Sequence, residues 1–110
     1  MEAAWEIATG EELDLSEQQV VDCATGNCSG CDGGLYECGF TYLQGAGSEA
    51  EESYEYTGTT NACTYKKSKV VNHCVKGQKE LPPHNTAALV SAINKQPVSI
   101  SIEADKSVFQ

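Results

Sequence analysis

Leu15-Ser16-Glu17-Gln18-Gln19-Val20-Val21-Asp22-Cys23, followed after a short loop by Gly30-Cys31-Asp32-Gly33-Gly34, decides how this chain is read. Ser16 and Gln19 stand at capping-box spacing, Ser-x-x-Gln. In that pattern the hydroxyl accepts a backbone N–H three residues on, and the Gln side chain reaches back to the cap. A helix therefore opens at Ser16, carries Val20 and Val21 and ends near Cys23. Residues 24 to 34 are rich in Gly, Ser, Asn and Asp and read as loop. Within it, Gly33-Gly34 leaves two peptides without Cβ cover, so an extended chain can approach and exchange main-chain hydrogen bonds. Leu35 and Tyr36 follow at once and can wall a pocket. Taken alone, a Gly-Gly pair is usually just a turn.

Upstream, residues 2 to 9 read as a helix closed by Gly10. It begins at Met1 with no N-cap residue, so it reads as cut rather than started. Downstream, Leu35 to about Gln44 forms a helix in which Leu35, Cys38, Gly39 and Tyr42 share one buried stripe, stopped by Gly45-Ala46-Gly47. An acidic loop (Glu49, Glu51, Glu52, Glu55) and a turn-rich stretch run to Asn61. Val70 and Val71 mark a short strand, Pro82-Pro83 is a breaker, and Asn85 caps a helix carrying Leu89, Ala92 and Ile93 on one face. Residues 98 to 104 alternate apolar and polar, the pattern of a half-buried strand. There is no internal repeat and no low-complexity linker.

The 110 residues suffice for one small domain, and 40% hydrophobic content marks a globular chain. A net charge of −9, from 16 acidic and 7 basic residues, disfavours nucleic acid and anionic membrane surfaces. It also suits a protein that works at low pH. Met1 to Gly10 has neither the cationic start nor the apolar run of a signal peptide, and no stretch is apolar enough to span a bilayer. Asn27-Cys28-Ser29 fits the N-glycosylation pattern, which is used only in a secreted chain.

Six Cys in this length suit an oxidising compartment, and structural disulfides are the favoured reading. Cys28-Ser29-Gly30-Cys31 is also a C-x-x-C, which leaves a redox pair or a zinc site on Cys23, Cys28, Cys31 and Cys38 as alternatives. A redox motif of this type normally opens a helix after a strand, whereas this one lies in a loop. His73 adjoins Cys74 in a strand-like run whose neighbouring side chains point to opposite faces, and His84 sits beside Pro83 on a turn. Both read as surface residues, neither placed to activate a thiol. No metal or cofactor is expected.

Together these motifs resemble the papain-like cysteine peptidases, the cathepsin and papain family. The likeness runs from Thr9-Gly10 and Leu13 to Cys23 through Gly30-Cys31-Asp32-Gly33-Gly34, Phe40-Thr41-Tyr42-Leu43, Tyr54-Glu55-Tyr56 and Cys63. It continues with Gln96-Pro97-Val98-Ser99-Ile100-Ser101-Ile102-Glu103-Ala104 and Phe109-Gln110. One departure is Glu55, where the family usually has Pro between the two Tyr. The resemblance implies an α+β papain-like fold, with about 1–70 in the helical left subdomain and about 71–110 starting the β-barrel-like right one. It implies that residues 1–110 are roughly the middle half of such a domain. The catalytic Cys, His and Asn then lie outside, and no Cys-Gly-Ser/Ala-Cys-Trp/Tyr segment is present.

By the same resemblance Cys23 pairs with Cys63, Cys31 pairs with a Cys that this sequence lacks, and Cys28, Cys38 and Cys74 are extra, two of them able to pair. Gly34, with Gly33 beside it, would hydrogen-bond the substrate backbone. Leu35 and Tyr36 would line the S2 pocket, with Ser101 opposite on a barrel strand. The parent would be a thiol-dependent endopeptidase acting on peptide or protein substrates in a lysosome, vacuole or extracellular space, by acyl transfer through a thioester. The chain alone is expected to be inactive and marginally folded. The alternative is a non-catalytic, disulfide-stapled peptide-binding module with no free thiol.

Overall fold

A computed structural model describes residues 1–73, 75–105 and 108. Helix α1 (Glu2–Thr9) leads to α2 (Glu17–Cys23) and then to α3 (Tyr36–Ala46). Strands β1 (Ser48–Glu49) and β2 (Val70–Asn72) and helix α4 (Thr86–Ile93) complete the regular elements, with short 3-10 turns between them. The arrangement is α+β, as the motifs imply.

Helix α1 ends where expected, at Gly10 with φ 77, whose N–H returns to the Glu6 carbonyl. Its Glu2 carboxylate reaches across to accept the Leu15 N–H at 2.8 Å. Helix α2 is capped by Ser16, whose hydroxyl accepts the Gln19 N–H at 3.0 Å. The other half of the capping box is absent. The Ser16 N–H donates instead to the Glu49 carbonyl, which frees the Gln19 side chain to turn inward.

That inward turn organises the molecule. Gln18 and Gln19 are 1% and 0% exposed. Gln19 accepts the Glu49 N–H at 2.8 Å and donates to the Gly47 carbonyl and the Tyr42 hydroxyl, each at 3.0 Å. Gln18 donates to the Thr59 carbonyl and to Asp22, each at 2.7 Å, and accepts the Thr57 N–H at 2.9 Å. The adjoining buried apolar residues are few: Leu15, Cys23, Ala24, Leu43 and Tyr54.

Strand β1 pairs antiparallel with β2, Ser48 opposite Asn72 and Glu49 opposite Val70 with a register shift between them. The loop before α2 joins the same layer through the Leu15–Ala50 bridge. Glu49 is buried, with its carboxylate accepting the Ser53 hydroxyl at 2.7 Å and the Lys66 N–H at 2.6 Å. Helix α3 stops at Gly47, φ 76, where a Cβ would lie 2.6 Å from His73 and 2.7 Å from Val70. The disulfide Cys23–Cys63, implied by the resemblance, is present and closes a separation of 40 residues. On the chain-entropy account such a link contributes about 4 kcal/mol, a large share of a small domain's stability.

Two expectations are corrected. The expected stripe of α3 is not buried: Leu35 is the N-cap, 56% exposed, because the helix begins one residue later, Cys38, Gly39 and Tyr42 are half-buried, and Leu43 is the residue of α3 that is buried. Residues 98 to 104 are not a strand: no neighbouring strand pairs with them among the described residues, and Ile100 and Ile102 stay exposed. The α4 helix is capped by Asn85 Oδ1 as expected, and Leu89 and Ile93 on its apolar face, with Val90, are exposed. The radius of gyration, 15.2 Å, exceeds the roughly 13 Å usual at about 100 residues, which fits such loosely covered segments. Cys74, Phe109 and Gln110 lie outside the described residues.

Two tests follow from this network. Gln19→Leu leaves the Glu49 N–H and the Gly47 carbonyl unpaired in a buried site, at a cost of about 1–3 kcal/mol each. The expected result is loss of most helical circular dichroism at 37 °C; an unchanged urea midpoint would show that the network is dispensable. The second concerns Asp22. Burial alone would raise its pKa, but hydrogen bonds from the Asn61 N–H, the Tyr54 hydroxyl and Gln18 outweigh it and hold the carboxyl below 3.8. A lowered folded pKa gives stability that is present above the unfolded value and lost as pH falls below about 3.9 toward the folded one. Asp22→Asn should flatten the fall of the urea midpoint below pH 4, and a fall of undiminished steepness would contradict this role.

Candidate functional site

The Gly33-Gly34 segment is held as one side of a short clasp. Cys28 and Gly34 form an antiparallel bridge, with the Ser29 N–H on the Gly33 carbonyl at 2.8 Å and the Leu35 N–H on the Asn27 carbonyl at 3.2 Å. A 3-10 turn, Gly30–Asp32, reverses the chain between the two sides. Gly33 takes φ 105, a conformation costly to any residue with a Cβ. At Gly34 the constraint is space: a Cβ would lie 2.8 Å from the Cys28 sulfur and 3.1 Å from its Cα.

A second disulfide, Cys28–Cys38, ties the clasp to the first turn of α3. Two of the extra cysteines were free to pair, with the choice left open, and Cys28 with Cys38 is the pair that forms. It anchors the loop at the point where Gly34 hands the chain to Leu35 and Tyr36. Cys31 carries a free, exposed thiol, and its N–H donates to the Thr60 hydroxyl at 2.8 Å. The C-x-x-C is therefore no redox pair, since Cys28 bonds to Cys38. The zinc alternative loses the thiolates of Cys23, Cys28 and Cys38 to disulfides.

Beyond the glycines, Gly33, Gly34, Leu35 and Tyr36 are all exposed on one ledge. The Tyr36 hydroxyl bridges to the far segment, donating to the Ile100 carbonyl at 2.5 Å and lying 3.0 Å from the Ser101 hydroxyl. Tyr36 and Ser101, picked out 65 residues apart, thus meet, although Ser101 sits on irregular backbone rather than on a strand. The ledge consists of peptide groups, one apolar side chain and a hydroxyl pair. Exposed peptide groups of this kind are the chemistry by which an extended chain is held through main-chain hydrogen bonds. None of the ledge residues is a His; His73 and His84 lie elsewhere in the chain and are exposed. Asn27, beside the clasp, was not counted among the site residues, and the sequon was the signal pointing to it.

A family model described as papain family cysteine protease matches residues 1–110. A thiol protease of Hemerocallis sp., SEN102, is 40% identical over 107 residues, covering 96% of this chain and 29% of that protein. A KDEL-tailed cysteine endopeptidase of Arabidopsis thaliana, CEP2, is 38% identical over 105 residues, covering 94% and 29%. The chain thus spans about three-tenths of these relatives' length. Among solved structures, the Carica candamarcensis cysteine protease CMS1MS2, determined in complex with E-64, superposes with a TM-score of 0.83 at 34% identity, over 98% of this chain and 50% of that one. The proform of the ragweed pollen allergen Amb a 11, a cysteine protease, gives 0.75 at 39% identity over 86% and 29%.

The clasp yields a packing test. Gly34→Ala forces the Cys28 sulfur or backbone aside, an overpacking cost of about 1–3 kcal/mol. We expect a lower melting temperature and faster reduction of Cys28–Cys38 by a small thiol, with Cys23–Cys63 unaffected. Equal reduction rates in the two proteins would refute the close approach.

Proposed function

The chain belongs to the papain family of cysteine proteases, and we propose that Gly33, Gly34, Leu35, Tyr36 and Ser101 are its substrate-binding residues within a thiol-dependent endopeptidase. The observation that carries this reading is the meeting of Tyr36 with Ser101, two residues along the chain from the exposed Gly33-Gly34 backbone. Gly34 offers its peptide group to the substrate main chain. Leu35, Tyr36 and Ser101 border the pocket for the neighbouring side chain, and the Tyr36 hydroxyl, tied to Ile100 and Ser101, limits its depth.

Residues up to about 70 form part of a left subdomain in this reading, and those from about 71 begin a right one. The nucleophilic Cys, the His and the Asn lie outside residues 1–110. The exposed thiol of Cys31 supports this, since its resemblance-implied partner is a Cys just ahead of the nucleophile. It also weighs against a self-contained binding module, which would leave no thiol unpaired. The compartment is lysosomal, vacuolar or extracellular, as the two disulfides favour. Substrates are peptides or proteins. The acidic charge disfavours nucleic acid and anionic membrane surfaces as partners, and no helix among the described residues is long and apolar enough to cross a bilayer.

The reaction proposed for the parent is thiolate attack on a peptide carbonyl, with the proton passing to the leaving amine and water then releasing the thioester. The pure chain of residues 1–110 should release no fluorophore from peptide amides between pH 4 and 8 with a thiol reductant present. Thiol-dependent cleavage by that chain alone would end this account. In a longer, active protein, Tyr36→Phe frees the pocket from Ile100 and Ser101. The expected result is a several-fold shift in kcat/KM toward substrates with a larger side chain at that position, and an unchanged ratio would remove Tyr36 from specificity.

A further inference from the structure

Asn27-Cys28-Ser29 is the one Asn-x-Ser/Thr sequence in the chain. The fold leaves both of its functional side chains free. Asn27 and Ser29 are exposed, and among the described residues neither the Asn27 amide nor the Ser29 hydroxyl has a hydrogen-bond partner. Asn27 stands at the rim of an open cavity of about 330 Å³, walled across from it by Glu37, Thr41 and Tyr42 of α3. These residues offer a carboxylate, a hydroxyl and an aromatic ring, groups suited to the hydroxyls and apolar face of a sugar. The two disulfides suit an oxidising compartment, and N-glycan transfer takes place in such a lumen.

We propose that Asn27 is an N-glycosylation site and that the first sugar of its glycan lies in the groove between residues 25–27 and α3. The co-reactant is an oligosaccharide linked to a polyprenyl pyrophosphate. The Asn27 amide nitrogen attacks the anomeric carbon, an N–C bond forms, and the C–O bond to the pyrophosphate breaks. The amide proton passes to a base of the transferase and the lipid pyrophosphate departs. Ser29 supplies the hydroxyl by which the sequence is recognised. Transfer precedes closure of Cys28–Cys38, because the disulfide and the Leu35–Asn27 hydrogen bond fix the middle of the sequence in the folded chain. The inference is independent of the peptide-binding ledge and needs only passage through a secretory lumen.

The test is translation of the chain behind a cleavable secretion leader into eukaryotic microsomes, with the mass of lumenal, disulfide-bonded product measured before and after peptide-N-glycosidase. The expected result is a shift of one core oligosaccharide, lost on digestion, lost in Asn27→Gln and in Ser29→Ala, and retained in Ser29→Thr. Lumenal wild-type chain carrying both disulfides and no sugar would overturn the proposal. So would a sugar found only in the Cys28→Ser, Cys38→Ser double variant, because disulfide closure would then win over transfer. To locate the sugar, Glu37→Ala and Thr41→Ala are compared with wild type for the rate of glycan trimming. Faster trimming supports a seat in the groove, and equal rates overturn that part of the proposal.

Discussion

The side-chain amide of Gln19 is the interaction on which the rest of the structure depends. It sits fully buried on α2 and bonds to Glu49, Gly47 and Tyr42. One planar group with two donors and an acceptor thereby fixes where α3 ends and where β1 begins. Gln18, its neighbour, does the same for the loop carrying Thr57 and Thr59. An apolar side chain in either place could fill the volume but could not satisfy the backbone groups that converge there. Successive helix residues point about 100° apart, so the pair serves different segments from one turn.

The ledge depends on a different device. Its backbone is exposed, and exposed loops are ordinarily free to vary. Here the clasp between Cys28 and Gly34, the tight turn between them and the bond to Cys38 give the loop a fixed shape. A surface that must present peptide groups to another chain gains from such rigidity, since less ordering remains to be done on binding. Tyr36 then ties this loop to the segment around Ser101.

Much of this was legible in the sequence because the signals were local. Ser16 and Asn85 as caps, Gly10 and Gly47 as helix ends, and the strand at Val70 follow from backbone chemistry within a few residues. The capping-box reading of Gln19 failed because a tertiary demand, the Glu49 and Gly47 peptides, competed for the same amide and won. The alternation over 98 to 104 describes what a strand would need, but pattern alone supplies no neighbour to bond to. The Cys28–Cys38 bond was one open choice among three cysteines, since loop spacing does not encode which sulfurs approach. The meeting of Tyr36 and Ser101 came from the family likeness; no local pattern links residues so far apart.

The polar character of the interior has a thermal consequence. Among the described residues the largest fully buried side chains are Gln18, Gln19, Glu49 and Ser48, while the buried apolar set is small. Hydration of apolar surface raises the heat capacity on unfolding, and hydration of amide and carboxyl surface lowers it. Each buried amide or carboxyl group thus takes away from the heat-capacity change that an apolar side chain in its place would add, which lessens the curvature of stability with temperature.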